Sequence, residues 1–194
     1  MRAMRAAQRE EARRPKKPAA AQIAISASGH LAYARGGVYP EWALLPVRVT
    51  RTGDTVPLEM DPRRYSSLRV SPDGNRLAFV AGPGPGQRQG IYVHDLTRGV
   101  SQGLNTGGFS NWPMEWSPDG DSIAFASDRD QATKNIYPMA VDGSGEPERL
   151  APSDRLQEIA SWSSEGVIAW LEAGDIWALP PDGDPAPFFT SEAD

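Results

Sequence analysis

The sequence contains no cysteine, only two histidines, and no apolar run approaching the roughly 20 residues needed to cross a bilayer as a helix. Without cysteine there are no disulfides and no thiol chemistry, and the redox compartment stays open, since a cysteine-free chain suits either environment. His30 and His94 fall in different parts of the chain with no third ligand at suitable spacing, so no histidine-based metal site is expected. The first twenty residues lack the apolar core of about seven residues that a secretory leader requires. Positive charge is scarce outside this segment. Residues 1–17 carry seven Lys/Arg against two Glu, whereas the remainder carries thirteen against twenty-three acidic residues. An acidic body repels phosphate backbones, which argues against nucleic acid as a partner.

Catalytic signatures are also missing. Gly108-Phe109-Ser110-Asn111-Trp112 fails the Gly-x-Ser-x-Gly nucleophile pattern at its last position. No Gly-x-Gly-x-x-Gly opens a helix, and neither His-Arg-Asp nor Asp-Phe-Gly occurs. The prolines of Gly82-Pro83-Gly84-Pro85-Gly86 remove the amide donors a phosphate cradle needs, so this stretch reads as a loop tip. Asp128-Arg129-Asp130 carries an arginine between its carboxylates and reads as a solvated hairpin tip rather than a cation site. The expectation is a chain with no catalytic residues, metal or cofactor.

What the sequence has is a repeated phrase. Trp116-Ser117-Pro118-Asp119-Gly120 is followed by Ile123-Ala124-Phe125. Val70-Ser71-Pro72-Asp73-Gly74 is followed by Leu77-Ala78-Phe79. Weaker copies begin at Ser26 and Ser163, giving serine spacings of 45, 46 and 46 residues. Asp-Gly permits positive φ at the glycine, and proline pre-sets the turn that precedes it. The Leu/Ile-Ala-aromatic triplet alternates large, small and large along a strand, so the two large residues face one neighbour and alanine allows close approach on the other side. Units one and four have one residue fewer after the glycine and should turn more tightly.

Each unit of about 45 residues reads as four short strands, the pattern of a β-propeller blade. The units cover residues 21–64, 65–109, 110–156 and 157–190, after a basic tail at 1–20. In unit one, Trp42–Leu45 reads as the third strand and Thr55–Met60 as the fourth. In unit three, Pro147–Leu150 reads as the fourth strand, and Pro138 costs its own strand a ladder donor, placing that strand toward the outer edge. Trp116, Trp162, Phe79, Phe125 and Trp170 recur at the repeat period and should form the core between blades. The residues leading into the inner strands should line the channel mouth: Arg63, Arg64 and Tyr65 in unit two, Asn111 and Trp112 in unit three, and Gln157 and Glu158 in unit four. These are the candidate ligand-binding residues.

The Trp-Ser-Pro-Asp-Gly…Ile-Ala-Phe phrase, with Ser127-Asp128-Arg129-Asp130, Asn135-Ile136-Tyr137 and Asp142-Gly143, resembles the TolB-type β-propeller repeat, a cousin of the WD repeat. Tyr65–Gly74 is similar to the propeller carried by many bacterial serine/threonine protein kinases. The resemblance implies an all-β propeller of about four four-stranded blades, which either close as a four-bladed ring or, as the family's usual six or more blades suggest, form part of a larger ring. It implies a non-catalytic module binding a protein or cell-envelope ligand, in a periplasmic or other extracytoplasmic setting. The contrasting reading is the substrate-gating propeller of a prolyl-oligopeptidase-type peptidase. Open blade faces of a partial ring would favour self-association.

Overall fold

Two short turns set the geometry. In the first, Ser71 N–H donates to the Arg76 carbonyl at 2.8 Å and Gly74 N–H to the Ser71 carbonyl at 2.9 Å; in the second, Ser117 and Ser122, then Gly120 and Ser117, repeat both bonds at 2.9 Å. Gly74 and Gly120 have φ of 78° and 76°, the left-handed conformation the Asp-Gly pair anticipated. The serine hydroxyl closes each turn from inside. Ser71 Oγ donates to Asp73 Oδ1 at 2.5 Å and accepts from Arg76 N at 2.9 Å. Ser117 Oγ does the same with Asp119 at 2.6 Å and Ser122 N at 2.9 Å. The turn at Ser163 is one residue shorter, with Ser163 N–H donating to the Val167 carbonyl at 2.8 Å, as the sequence spacing required.

The computed structural model describes residues 22–25, 31–34, 44–82, 89–104, 111–129 and 133–191. The basic tail, the Gly-Pro tip at 83–88, His30 and Asp130 lie outside them. The described chain is all antiparallel β. Blade 1 holds β1 (Gln22–Ile25), β2 (Leu31–Ala34), β3 (Pro46–Val49) and β4 (Thr55–Pro57). Blade 2 holds β5 (Tyr65–Val70), β6 (Arg76–Ala81), β7 (Gly90–Asp95) and β8 (Val100–Gly103). Blade 3 holds β9 (Asn111–Trp116), β10 (Ser122–Ser127) and β11 (Asn135–Ala140). Blade 4 holds β12 (Gln157–Trp162), β13 (Ile168–Glu172), β14 (Asp175–Leu179) and β15 (Ala186–Phe189). Each sheet is an up-and-down meander, and the first strands β1, β5, β9 and β12 pack on one another in order around the channel. No helix of the described residues is long and apolar enough to cross a membrane.

Two strand assignments are corrected. In blade 1 the third strand is Pro46–Val49; of the expected Trp42–Leu45, Trp42 and Ala43 lie outside the described residues and Leu44 makes only an isolated bridge to Arg63. The apolar run drew the eye, but the ladder with β2 falls on the alternating Val47 and Val49. In blade 3 Pro147–Leu150 forms no strand. Leu150 N–H donates to the Ile136 carbonyl at 2.8 Å, and the antiparallel register this bond sets makes Pro138 and Glu148 the next bonding pair. Pro138 has no N–H to give, so the ladder stops after one bond and β11 is left as an edge strand.

The triplets build the seams between blades. Leu77 and Phe79 pack toward blade 1 with Tyr65, Leu68 and Leu44. On the other face of the same strand, Ala78 and Val80 meet Trp116, Ile123 and Phe125 of blade 3. Ala124 and Ile136 in turn meet Ile159, Ile168 and Trp170 of blade 4. The seams between blades 2 and 3 and between blades 3 and 4 thus each join the small-residue face of one blade to the large-residue face of the next. Ala78, Ala124, Ile123 and Phe125 are fully buried. Each large side chain so buried contributes about 1.5–3 kcal/mol. Trp116 Nε1 donates across its seam to the Arg69 carbonyl at 3.0 Å, and Arg69 Nε pairs with Glu115 at 3.0 Å.

Among the described residues no sheet packs on the far side of blade 4. Leu171 stands at the position of Val80 and Ala126, which are 0% exposed, yet it is 44% exposed, and Phe189, two strands further out in the same sheet, is 57% exposed. The four sheets are a partial ring.

Replacing the buried Ser117 with alanine strands the Ser122 N–H and removes the bond to Asp119, a loss of about 1–3 kcal/mol. Ser163→Ala should cost less, since the Ser163 hydroxyl accepts from Val167 N at 3.1 Å and Glu165, at the Asp119 position, is bonded chiefly by Ser164. Urea unfolding with an unchanged slope measures both; equal losses would contradict the role given to the serine–aspartate pair.

Candidate functional site

The inner strands β5, β9 and β12 pack in order, and the seven candidate residues lie at or just before their first positions. They do not present themselves alike. Arg64 is exposed. Arg63 is half-buried, bridges to Leu44 through its backbone, and pairs with Asp61 at 3.2 Å. Tyr65 is 3% exposed; its hydroxyl donates to the Asp61 carbonyl and its ring meets Phe79 edge-on at 5.0 Å. Burial pushes the Tyr65 phenol up, keeping it protonated. Asn111 and Trp112 begin β9, and their side chains lie outside the described residues. Glu158 is half-buried and faces Leu171 across the β12–β13 pair.

Gln157 is 1% exposed, and its amide is spent inside the blade 3–blade 4 seam. It accepts from Ile136 N at 3.2 Å and donates to the Ala151 carbonyl at 2.8 Å and to Glu172 at 2.9 Å. Glu172 also accepts from Ser153 Oγ at 2.6 Å and Trp170 Nε1 at 3.2 Å. Asn135 extends this network by donating to the Ser153 carbonyl and accepting from Ser153 N, both at 3.0 Å. Burial alone would push the Glu172 carboxyl up; the bonds from Ser153, Gln157 and Trp170 outweigh it and hold the group below the usual carboxylate range.

Sequence reasoning missed Glu172. The signal was a break in the repeat, because Ala81 and Ser127 occupy the aligned positions after Phe79-Val80 and Phe125-Ala126. Gln157 aligns with Tyr65 and Asn111, and all three side chains mark the first residue of an inner strand.

A cleft of about 440 Å³ adjoins the mouth between blades 1 and 2, lined by Glu59, Met60, Asp61, Arg63, Tyr65 and Tyr92 among others. Its charged groups are mixed in sign and suit a polar surface contact. His94 sits on the outer part of blade 2, with Nδ1 at 2.9 Å from Ser101 Oγ, and burial pushes its imidazole toward the neutral form. Among the described residues no group of three His, Asp or Glu stands close enough to hold a metal ion.

This geometry, meander sheets around a channel with paired large and small faces, is that of a TolB-like β-propeller. No protein-family model matches the chain. It is 29% identical over 113 residues to the uncharacterized peptidase YuxL of Bacillus subtilis, covering 55% of this chain and 17% of that protein. It is 37% identical over 60 residues to the Tol-Pal system protein TolB of Alcanivorax borkumensis, covering 31% of this chain and 14% of that one. Among solved structures, TolB from Acinetobacter baumannii superimposes with a TM-score of 0.70 at 19% identity, over 89% of this chain and 44% of that chain. The β-propeller domain of the Trilobed protease from Pyrococcus furiosus gives 0.58 at 16% identity, over 89% of this chain and 58% of that one. The chain therefore spans less than a fifth of either sequence relative.

Because the folded Glu172 carboxyl titrates below its unfolded value of about 4.3, its contribution is complete above that pH and disappears as pH falls through the lower folded value. Glu172→Gln should cost about 1–3 kcal/mol at pH 7 and flatten the stability profile below pH ~4. Thermal unfolding across pH 3–7 reads both effects; a parallel profile for the variant would contradict the assignment.

Proposed function

We propose that this chain is a non-catalytic propeller module that recognises a protein or cell-envelope ligand at its channel mouth. The observation that carries this reading is the convergence of Arg63, Arg64 and Glu158 at the mouth beside the polar cleft at Asp61 and Tyr65, on a TolB-like scaffold. The buried Tyr65 and the Gln157–Glu172 network are the rigid support beneath that surface, and Arg64 is its accessible contact. The similarity of Tyr65–Gly74 to kinase-borne propellers supports a sensor role within this reading.

A second reading is favoured by a different observation. One sequence match, over 113 residues, is to an uncharacterized peptidase, and a protease propeller is among the structural neighbours. Under it, the chain is the gating propeller of a peptidase and admits substrate to a separate hydrolase domain.

A photo-crosslinking side chain at position 64 separates the readings. The binding-module account expects capture of one defined protein, reduced several-fold by Arg63→Ala and absent when the cross-linker sits at Val100 on the outer rim. A chain that instead lends size selection to an added peptidase domain, with no protein captured at position 64, would favour the gating role. Hydrolysis of a proline-containing fluorogenic peptide by the chain alone would overturn both.

A further inference from the structure

Two seams of this ring share a design, and one of them is missing a part. Between blades 2 and 3, Arg76 lies over the Trp116 ring, with Cζ at 5.2 Å from the ring centroid. Its Nη2 comes within 3.0 Å of where a Cβ on Gly120 would stand. Arg76 is also within electrostatic range of the Asp73 carboxylate. The seam therefore holds a guanidinium between an aromatic face and a carboxylate, an arrangement worth more as it is withdrawn from water.

The repeat aligns Trp162 with Trp116 and Asp119 with Asp73, so the next seam carries the same aromatic and the same acid. It aligns Arg76 with Ser122, which is too short to reach either. At this place the structure has a cleft of about 570 Å³, lined by Asp119, Leu150, Trp162, Ile168, Leu179 and Asp184 among others. That volume is in the range of ligand sites. Trp162 is only half-buried, whereas Trp116 under its arginine is 3% exposed. Pro180, Pro181 and Pro185 form the far wall, and their fixed φ gives a rim that loses little freedom when something binds. Asp119 is ionised: its Ser117 hydrogen bond and the Asp121 N–H hold its carboxyl below the usual range. Both bonds use Oδ1, so Oδ2 keeps its acceptor capacity.

We infer that the cleft between blades 3 and 4 is a binding site for an arginine side chain of a basic protein segment, taken over Trp162 and between Asp119 and Asp184 as Arg76 is taken over Trp116. Arginine fits better than lysine because its planar group stacks on indole while its edge donates to carboxylates. The net negative charge of residues 18–194 draws such a segment in and is weakened by salt. The site is distinct from the channel mouth, so its test is independent of the mouth reading.

The decisive variant is Ser122→Arg, which supplies from within the side chain that the seam lacks. Titration of the full chain with tetra-arginine by calorimetry should give saturable binding, several-fold tighter than tetralysine. Ser122→Arg should weaken it at least tenfold while the chain stays folded. Thr97→Arg, which adds the same charge on the outer part of blade 2, should change it less than twofold. Undiminished binding by folded Ser122→Arg, or equal losses in both variants, would overturn the proposal. Should Ser122→Arg not fold, the wild-type chain still decides the matter by NMR. The indole N–H of Trp162, assigned with Trp162→Phe, should shift on adding tetra-arginine while that of Trp116 stays in place. An unmoved Trp162 signal would overturn the site.

Discussion

A four-stranded sheet of short strands with two apolar faces cannot stand in water alone, and everything else in this chain follows from how that constraint is met. One unit's alanine face lies against the next unit's Leu/Ile-and-aromatic face, in the seam between blades 2 and 3 and again in that between blades 3 and 4. Phe125 and Ile123 fill the space that Ala78 leaves, just as Trp170 and Ile168 fill the space left by Ala124. Alternation within a single triplet therefore supplies both halves of a seam, and stacking has a direction: small face forward, large face back.

The turns are subordinate to this packing. Ser-Pro-Asp-Gly does not contribute much buried area; it fixes where β6 and β10 start relative to β5 and β9, and so which residues of each triplet point which way. A slip of one residue would put Ala78 where Phe79 belongs. That is why the serine is buried within the turn and bonded to both backbone and aspartate, while the aspartate carboxylate itself remains exposed. Polar groups also staple the seams, but with different chemistry in each. Arg69, Glu115 and the Trp116 indole join blades 2 and 3; Gln157, Glu172 and Ser153 join blades 3 and 4. Variation in these staples leaves the apolar seam unchanged and makes room for sites, the Trp162 cleft among them.

The repeat, the turn conformations and the core aromatics were legible in the sequence because each is a local rule written several times. Gly74 and Gly120 take positive φ for the reason their Asp-Gly context gives. What was illegible depended on single residues that interrupt the period. Pro138 was recognised as costing a donor, but its effect falls on the partner segment at Glu148, ten residues away. Gln157 read as a surface residue by type and position, yet an unrelated carboxylate at Glu172 turns it inward. Of the candidate site the sequence could mark only the entries to the inner strands, not exposure, and among its described side chains Arg64 alone is exposed. Ser122 looked ordinary until the arginine at its aligned position was seen lying on tryptophan.

Blade 4 ends in a seam face that no other sheet of the described residues covers. The absence of native cysteine allows a direct measurement: thiol-labelling rates of Leu171→Cys and Val80→Cys in dilute protein under native conditions. The account predicts that position 171 labels close to the rate of a free thiol, while position 80 labels only on unfolding, slower by orders of magnitude. Equal protection at the two positions would mean that the face is covered and the ring closes on itself, contrary to this account.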